Sequence, residues 1–177
     1  MKDSLWNGKN KVFDVGTGAG FPGIVLAILN PESKFVLLDS LNKRIKFLNQ
    51  VIIDLSLNNI SALHGRAEDL AQQKEYREHY DFCVSRAVAN LATLSEYCLP
   101  FVKKKGYFIS YKSEKITEEY EQAKKAIKIL GGNYKNQVEF YLPQSDIYRN
   151  LFIIEKIDVT PKKYPRKAGL PSKEPII

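Results

Sequence analysis

The chain has 177 residues, a length that fits one folded domain, and its 44% hydrophobic and 27% charged residues are typical of a globular protein. No apolar run approaches the roughly 20 residues of a membrane-spanning helix, and residues 1–10 lack the apolar stretch of a secretory signal. Lys and Arg number 27 against 20 Asp and Glu, giving a net charge of +7, which suits either a polyanionic partner or a solvated lysine-rich surface. We therefore expect one cytoplasmic domain over residues 1–177, away from membranes.

The two cysteines, Cys83 and Cys98, are too few for a disulfide framework. Each lies in an apolar run, where a cysteine usually behaves as a small buried hydrophobe. His64 and His79 are the only histidines, so the chain is short of zinc ligands and we expect no metal.

Apolar runs alternate with helical periodicity along the chain. Strands are predicted at residues 11–15, 34–39, 60–64, 80–85, 107–111, 134–142 and 151–157. Helices are predicted at 22–29, 41–57, from the end of the fourth strand to about 98, and at 113–130. The last two strands are joined by only about eight residues, too few for a helical crossover, so they should pair antiparallel.

This alternation predicts an α/β fold: a Rossmann-like, mostly parallel seven-stranded sheet with helices on both faces and an antiparallel strand pair at its C-terminal end. That ending is typical of class I methyltransferases that use S-adenosylmethionine. Residues 1–10 are a short lead, and residues 160–177 carry Pro161, Pro165, Pro171 and Pro175, which predicts a basic extended arm with no helix.

A glycine-rich loop follows the first strand. Gly16, Gly18 and Gly20 have G-x-G-x-G spacing, which differs from the G-x-G-x-x-G of pyrophosphate-binding folds. It favours a ligand without phosphate, such as S-adenosylmethionine, whose methionine part would lie over the glycine backbone; the alternative is a turn of another nucleotide-binding fold. Asp14 would either orient this loop or meet the ammonium group of the ligand.

Two further positions at the carboxyl edge of the sheet fit a nucleoside. Asp39 ends the second strand, where an acid accepts hydrogen bonds from ribose hydroxyls; its position in the fold favours this role over the alternative, a cap for the next helix. The backbone of Ala67 and Glu68 follows the third strand and would read an adenine edge, or these residues simply start a helix.

Arg86 ends the fourth strand, at the edge that faces the transferred methyl group in this architecture. An arginine there suits an anionic partner, and the alternative is an ion pair with Glu68 or Asp69. The chain lacks the Asn/Asp-Pro-Pro-Tyr motif of amino-methylating enzymes and a Pro-Cys pair for attack on a pyrimidine, which disfavours methylation of adenine amines and of cytosine carbon.

Four segments taken in order carry a specific resemblance: DVGTGAGFPGIVLAI (14–28), LLDSLNKRIKFL (37–48), GRAED (65–69) and SRAVANL (85–91), followed by SYK at 110–112 and YRNL at 148–151. Over roughly residues 11–156 the chain resembles the family of ribosomal RNA small-subunit methyltransferase G, also called glucose-inhibited division protein B. Only about ten residues precede the first strand, whereas members of this family usually carry a helical segment there, so the chain is either a short form or a truncated one.

The resemblance implies methylation of guanine N7 in bacterial 16S ribosomal RNA, with S-adenosylmethionine as donor and 16S RNA or the small ribosomal subunit as partner. By motif, the implied cofactor contacts are Gly16, Phe21, Ala67, Glu68 and Arg86. Arg86 is also the candidate for positioning the two substrates. We expect a monomer.

Six bases are predicted RNA contacts: two in the resembling segments and four in the arm, namely Lys112, Arg149, Lys162, Lys163, Arg166 and Lys167. A solvated arm is the alternative, and cofactor binding should not depend on it, because the cofactor loops lie far upstream. Two other classes of protein compete: a nicotinamide-dependent oxidoreductase, disfavoured by the closing strand pair, and a noncatalytic RNA-binding module, disfavoured by the intact cofactor loop.

Overall fold

The computed structural model describes residues 6, 8–113 and 116–177. The strands are β1 (Lys11–Val15), β2 (Lys34–Asp39), β3 (Ile60–His64), β4 (Tyr80–Arg86), β5 (Val102–Lys112), β6 (Gly132–Tyr141) and β7 (Tyr148–Lys156). The α-helices are α1 (Gly23–Leu29), α2 (Asn42–Asp54), α3 (Ala67–Leu70), α4 (Leu91–Cys98), α5 (Thr117–Ile129) and α6 (Leu170–Lys173), and a 3₁₀ turn covers Leu99–Phe101.

The strands form one sheet in the order β3-β2-β1-β4-β5-β7-β6. The first five are parallel, while β7 pairs antiparallel with both β5 and β6. The predicted fold class is confirmed, including the antiparallel pair. Because β1–β3 build outward on one side and β4 starts the other side, the strand order reverses between β1 and β4, where open α/β sheets bind their ligands.

Apolar residues alternate between the two faces of the sheet and build two cores. Val12, Leu37 and Phe82 pack with α1 and α2 on one face. On the other face Phe13 stacks on Phe101 at 4.1 Å between ring centroids, within a cluster that includes α3, α4 and α5. Cys83 and Cys98 are fully buried there, and burial raises the pKa of the Cys83 thiol well above its usual value.

One strand begins earlier than its sequence predicts. β5 was predicted at residues 107–111 but begins at Val102, so Lys105 and Gly106 lie inside it, where the pairing with β4 shifts register and Lys105 adopts φ +70°. A Cβ at Gly106 would lie 2.6 Å from the carbonyl oxygen of Asp81, so a glycine lets the two backbones approach. The extra residues form a bulge, which a sequence pattern does not separate from a turn.

The C-terminal segment, residues 160–177, corrects the prediction of an extended arm without a helix. Thr160, Tyr164 and Pro171 are buried, and Leu170–Lys173 form the short helix α6. Pro171 lies in the first turn of α6, where its missing N–H leaves no hydrogen bond unmade, so the prolines did not exclude a helical turn.

No helix in the described part of the chain is both long and apolar enough to span a membrane.

Candidate active site

The glycine loop leaves β1 in a left-handed backbone conformation and turns into α1. Gly16, Gly18 and Gly20 have φ of +69°, +62° and +97°. The N–H groups of Gly16 and Thr17 donate to the carbonyl oxygen of Leu38, at 2.9 and 3.0 Å, which fixes the loop on β2. A Cβ at Gly18 would meet no atom within 4 Å, so this stretch of backbone is open to a ligand.

Asp14 lies beneath the loop and holds it. Its Oδ2 accepts hydrogen bonds from the Thr17 hydroxyl at 2.7 Å and the Gly23 N–H at 2.9 Å, while Oδ1 is buried without a partner among the described residues. Burial raises the pKa of the Asp14 carboxyl from 3.8 to about 6, against the lowering effect of those two hydrogen bonds. This geometry fits the loop-orienting role, since Asp14 is 1% exposed.

Asp39 ties the loop to the start of α2. Its Oδ2 accepts from the Gly18 N–H at 3.0 Å and from Nη1 of Arg44 at 3.1 Å, and its Oδ1 accepts from the Leu41 N–H at 2.9 Å. The carboxylate therefore both organises the helix start and borders the site, so the two interpretations of Asp39 are compatible.

A cavity of about 220 Å³, the inner cavity, opens beside these groups. It is bordered by the ends of β1, β2 and β3, the start of α3, and part of the C-terminal segment; its lining residues are Val15, Gly16, Leu38, Asp39, Ser40, Gly65, Arg66, Ala67, Glu68, Val88, Tyr97, Gly169 and Ser172. The structure thus brings together Gly16, Asp39, Ala67 and Glu68, as the sequence predicts.

A wider cleft of about 810 Å³, the outer cleft, adjoins the inner cavity at Gly16. Basic and aromatic side chains share its lining: Gly16, Thr17, Gly18, Ala19, Phe21, Arg44, Arg86, Ala87, Tyr111, Lys112, Ser113, Glu119, Phe140, Leu142, Arg149, Asn150 and Leu151. Of the predicted cofactor residues, Gly18, Phe21 and Arg86 lie here. Gly20 and Asp14 line neither cavity and support the loop from behind.

Arg86 is the last residue of β4, and its guanidinium carbon lies 5.5 Å from the centroid of the Phe21 ring. Ala87 follows with φ +55°, an unusual conformation for alanine that ends the strand sharply. Neither Glu68 nor Asp69 pairs with Arg86 in the described structure; the Glu68 carboxylate instead accepts the Gly169 N–H at 2.8 Å. Arg86 is therefore exposed to the outer cleft.

The six predicted RNA contacts differ in their surroundings, and their role stays a prediction. Lys112 donates to the Glu119 carboxylate at 2.6 Å, and Arg166 makes a two-pronged ion pair with the 1%-exposed Glu96, so neither is an unpaired cation. Arg149 lines the outer cleft. Lys162, Lys163 and Lys167 are exposed on the C-terminal segment.

Sequence reasoning missed Arg44 and the two cavity residues of the C-terminal segment, Gly169 and Ser172. Arg44 lies inside the LDSLNKR motif, which was the signal available for it. Gly169 and Ser172 come close to Glu68 only through the tertiary fold. They bring the segment next to the predicted cofactor loops, although those loops lie far upstream in the sequence.

Among residues 6, 8–113 and 116–177, no group of three or more His, Cys, Asp or Glu side chains is placed to hold a metal ion.

Solved structures with the same architecture identify the fold. TYW2 of M. jannaschii, solved in complex with AdoMet, superposes with a TM-score of 0.65 at 17% identity, covering 85% of this chain and 71% of that one. The putative transferase PH0793 of Pyrococcus horikoshii gives a TM-score of 0.66 at 16% identity, covering 85% and 58%. The fold is that of the S-adenosylmethionine-dependent methyltransferases.

Sequence comparison then gives the family. The model for rRNA small subunit methyltransferase G matches residues 3–148. Ribosomal RNA small subunit methyltransferase G of Clostridium tetani is 56% identical over 94% of this chain and 70% of its own length, and that of Alkaliphilus oremlandii is 56% identical over 95% and 70%. The chain belongs to the rRNA small subunit methyltransferase G family, which confirms the resemblance and removes the oxidoreductase alternative.

Proposed function

We propose that this chain transfers the methyl group of S-adenosylmethionine to N7 of a guanine in bacterial 16S ribosomal RNA, either free or in the small subunit. The observation that carries the proposal is the pair of cavities that meet at Gly16. One is small and bordered by Asp39 and the start of α3, and the other is wide, basic and aromatic. A donor in the first and a base in the second would meet at the glycine loop.

The residues of the inner cavity, together with Gly18 and Arg86 at the adjoining edge of the outer cleft, fit the donor. The two oxygens of Asp39 offer about four acceptor positions and three are used, which leaves one for a ribose hydroxyl. The backbone at Ala67 and Glu68 begins α3, where N–H groups lack partners within the helix and suit an adenine nitrogen. The open backbone at Gly18 would receive the methionine part, and Arg86 its carboxylate. When bound, S-adenosylmethionine supplies an electrophilic methyl group on its sulfonium.

The outer cleft fits a guanine and its phosphates. Phe21, Tyr111 and Phe140 offer flat apolar surfaces on which a base stacks, worth about 1–3 kcal/mol per base. Arg149 and Arg86 supply positive charge for the backbone of the RNA. Guanine N7 carries a lone pair and no proton, so the chain needs no general base there and its residues contribute by orientation.

Arg86 connects the two substrates in this proposal. Its guanidinium lies over Phe21, so the ring and the planar cation form one edge of the cleft. Replacing it by lysine keeps the charge but loses the planar fork. For Arg86→Lys we expect methyl transfer to fall by about tenfold or more, with little change in thermal stability because the side chain is exposed. Equal activity would remove Arg86 from the site.

The direct test is transfer from radiolabelled S-adenosylmethionine to purified small subunits and to naked 16S RNA, followed by mapping. N7-methylguanine is located by reduction and chain cleavage at the modified base, which other methylated guanines resist. Label that appears without cleavage would contradict N7 as the target. No label in either RNA, with the cofactor bound, would leave the noncatalytic RNA-binding alternative.

A further inference from the structure

The C-terminal segment forms one side of the inner cavity. Gly169 and Ser172 line it, and the Gly169 N–H donates to Oε1 of Glu68 at 2.8 Å. Glu68 is 7% exposed, so this hydrogen bond is partly shielded from water. Glu68, whose backbone is proposed to contact the donor, therefore also binds the C-terminal segment through its side chain.

Three anchors fix the segment, one in the loop that follows α3 and two on α4. The guanidinium of Arg77 donates to the carbonyl oxygens of Thr160 at 2.8 Å and Tyr164 at 2.9 Å. Arg166 donates to both oxygens of Glu96 through Nε and Nη2, and its backbone N–H donates to Oε1 at 2.7 Å. These contacts satisfy backbone groups that packing has removed from water, so they hold the main chain itself in place.

A third anchor lies next to the cavity. The Thr93 hydroxyl donates to the carbonyl oxygen of Pro171 at 3.0 Å, in a buried contact that joins α4 to α6. Pro171 is itself buried. Ser172, the next residue, is thereby placed at the cavity wall, and its hydroxyl donates to the carbonyl oxygen of Gly169 at 3.0 Å.

We infer that the C-terminal segment is a structural part of the S-adenosylmethionine site, with Gly169 and Ser172 as its positioning residues, so that docking of the segment and binding of the donor stabilise each other. This rests on the proposed function only in taking S-adenosylmethionine as the ligand. Coupling between two binding events is reciprocal. The donor should therefore strengthen docking of the segment by the same factor as docking strengthens binding of the donor.

The first test uses two truncations and calorimetry with S-adenosylhomocysteine, the unreactive product. Deleting residues 168–177 removes the cavity wall but keeps Arg166 and its partner Glu96. Deleting residues 174–177 leaves Gly169 and Ser172 in place and serves as the matched control. We expect about tenfold or greater weakening for the longer deletion and about twofold or less for the control. Equal affinity in both would overturn the inference.

A point variant covers the case in which the longer truncation does not fold. Gly169→Pro keeps the chain length, removes the N–H that Glu68 accepts, and cannot adopt φ +84°. It should bind S-adenosylhomocysteine several-fold more weakly than the wild type. Wild-type affinity in this variant, with the protein folded by circular dichroism, would also overturn the inference.

The reciprocal effect is measured by limited trypsin digestion, because Lys163 and Lys167 lie exposed in the segment. S-adenosylhomocysteine should slow cleavage there several-fold in the wild type, and less in Glu68→Ala than in Glu68→Gln, which keeps an acceptor oxygen. Cleavage at the same rate with and without ligand would count against coupling. Loss of methyl transfer with these effects intact would refute only the proposed function, whereas a wild type that binds no S-adenosylhomocysteine would refute both.

Discussion

The glycine loop (residues 16–23) and the C-terminal segment both border the inner cavity, but different kinds of interaction hold them. The loop depends on left-handed backbone at three glycines and on two buried carboxylates, Asp14 and Asp39, which lie 3 to 21 positions from the groups they accept from. The C-terminal segment depends on side chains 70 to 101 positions away, including Glu96 and Glu68. Backbone geometry and contacts closer in sequence stabilise the loop, whereas contacts more distant in sequence stabilise the C-terminal segment. We therefore expect different kinds of substitution to disrupt the two walls of the cavity.

The largest expected effect is on the loop. A Cβ at Gly23 would lie 2.1 Å from Leu37 Cδ2 and 2.7 Å from Oδ2 of Asp14, both buried. Gly23→Ala should therefore lower the free energy of unfolding by about 2–3 kcal/mol. Gly18→Ala is the matched control, since its Cβ has free space and only φ +62° opposes it, at about 1 kcal/mol. Urea denaturation that ranks Gly18→Ala as the more damaging change would refute the packing argument.

The next effect concerns the anchor of the C-terminal segment. Glu96→Ala removes a buried carboxylate that accepts from the Arg166 side chain and backbone, with Arg166 itself 23% exposed. We expect a loss of about 2 kcal/mol in unfolding free energy. Glu121→Ala, which breaks an exposed ion pair with Lys124, should cost about 0.5 kcal/mol or less. Similar losses in the two variants would show that burial adds nothing at Glu96.

The third prediction uses pH at the other end of the segment. Lys156 is fully buried, and its Nζ donates to the Thr160 hydroxyl and the Leu99 carbonyl oxygen, both at 2.7 Å, and lies 3.1 Å from Glu78 Oε1. Burial, only partly offset by Glu78, lowers the pKa of Lys156 from 10.5 to about 8.

At a pH between about 8 and 10.5, Lys156 is mostly protonated in the unfolded chain and mostly deprotonated in the folded chain. The contribution of Lys156 to the free energy of unfolding therefore rises with pH in this range. From about pH 7 to pH 9 the gain should be about 1 kcal/mol relative to Lys156→Met, measured by denaturation at each pH. A wild type that loses stability relative to Lys156→Met over that range would contradict the burial of a charged lysine.

The smallest effect is expected on the exposed side of the segment. Replacing Lys162, Lys163 and Lys167 together by Gln should leave stability within about 0.5 kcal/mol, because these side chains reach solvent. If they contact RNA, the slope of log affinity against log salt should flatten by roughly 0.7–0.9 per lost phosphate contact. An equal loss of charge elsewhere, at Lys103, Lys124 and Lys128, provides the control. An unchanged slope in the first variant would leave RNA recognition to the outer cleft.

Most of the fold was predictable because its signals are local. Runs of apolar and β-prone residues predicted all seven strands, and the short connection between the last two, which spans residues 142–147 in the structure, required the antiparallel pair. The boundary of β5 was less accessible, since Lys105 and Gly106 resemble a turn and only the pairing with β4 makes them a bulge. The start of α5 was predicted at Ser113 and lies at Thr117.

The site was predictable where a backbone requirement coincides with a motif. Gly16, Asp39, Ala67 and Glu68 were identified from their places at strand ends, and the structure brings all four to one cavity. Gly169 and Ser172 follow no such rule, because their place depends on anchors such as Arg77. Composition also does not distinguish Arg166, whose guanidinium forms an ion pair with Glu96, from Lys167, which is exposed.

The separation of 101 residues between Glu68 and Gly169 also has a consequence for the order of events during synthesis. The sheet as far as β5 is complete in the chain long before Gly169 is made, and domains fold as their segments emerge. The wall of the inner cavity closes only once Gly169 and Ser172 have been made and are free to fold. A chain synthesised only as far as β5 therefore carries the glycine loop and Glu68 but lacks one wall of the inner cavity, so the cavity is completed after the part of the sheet that carries it.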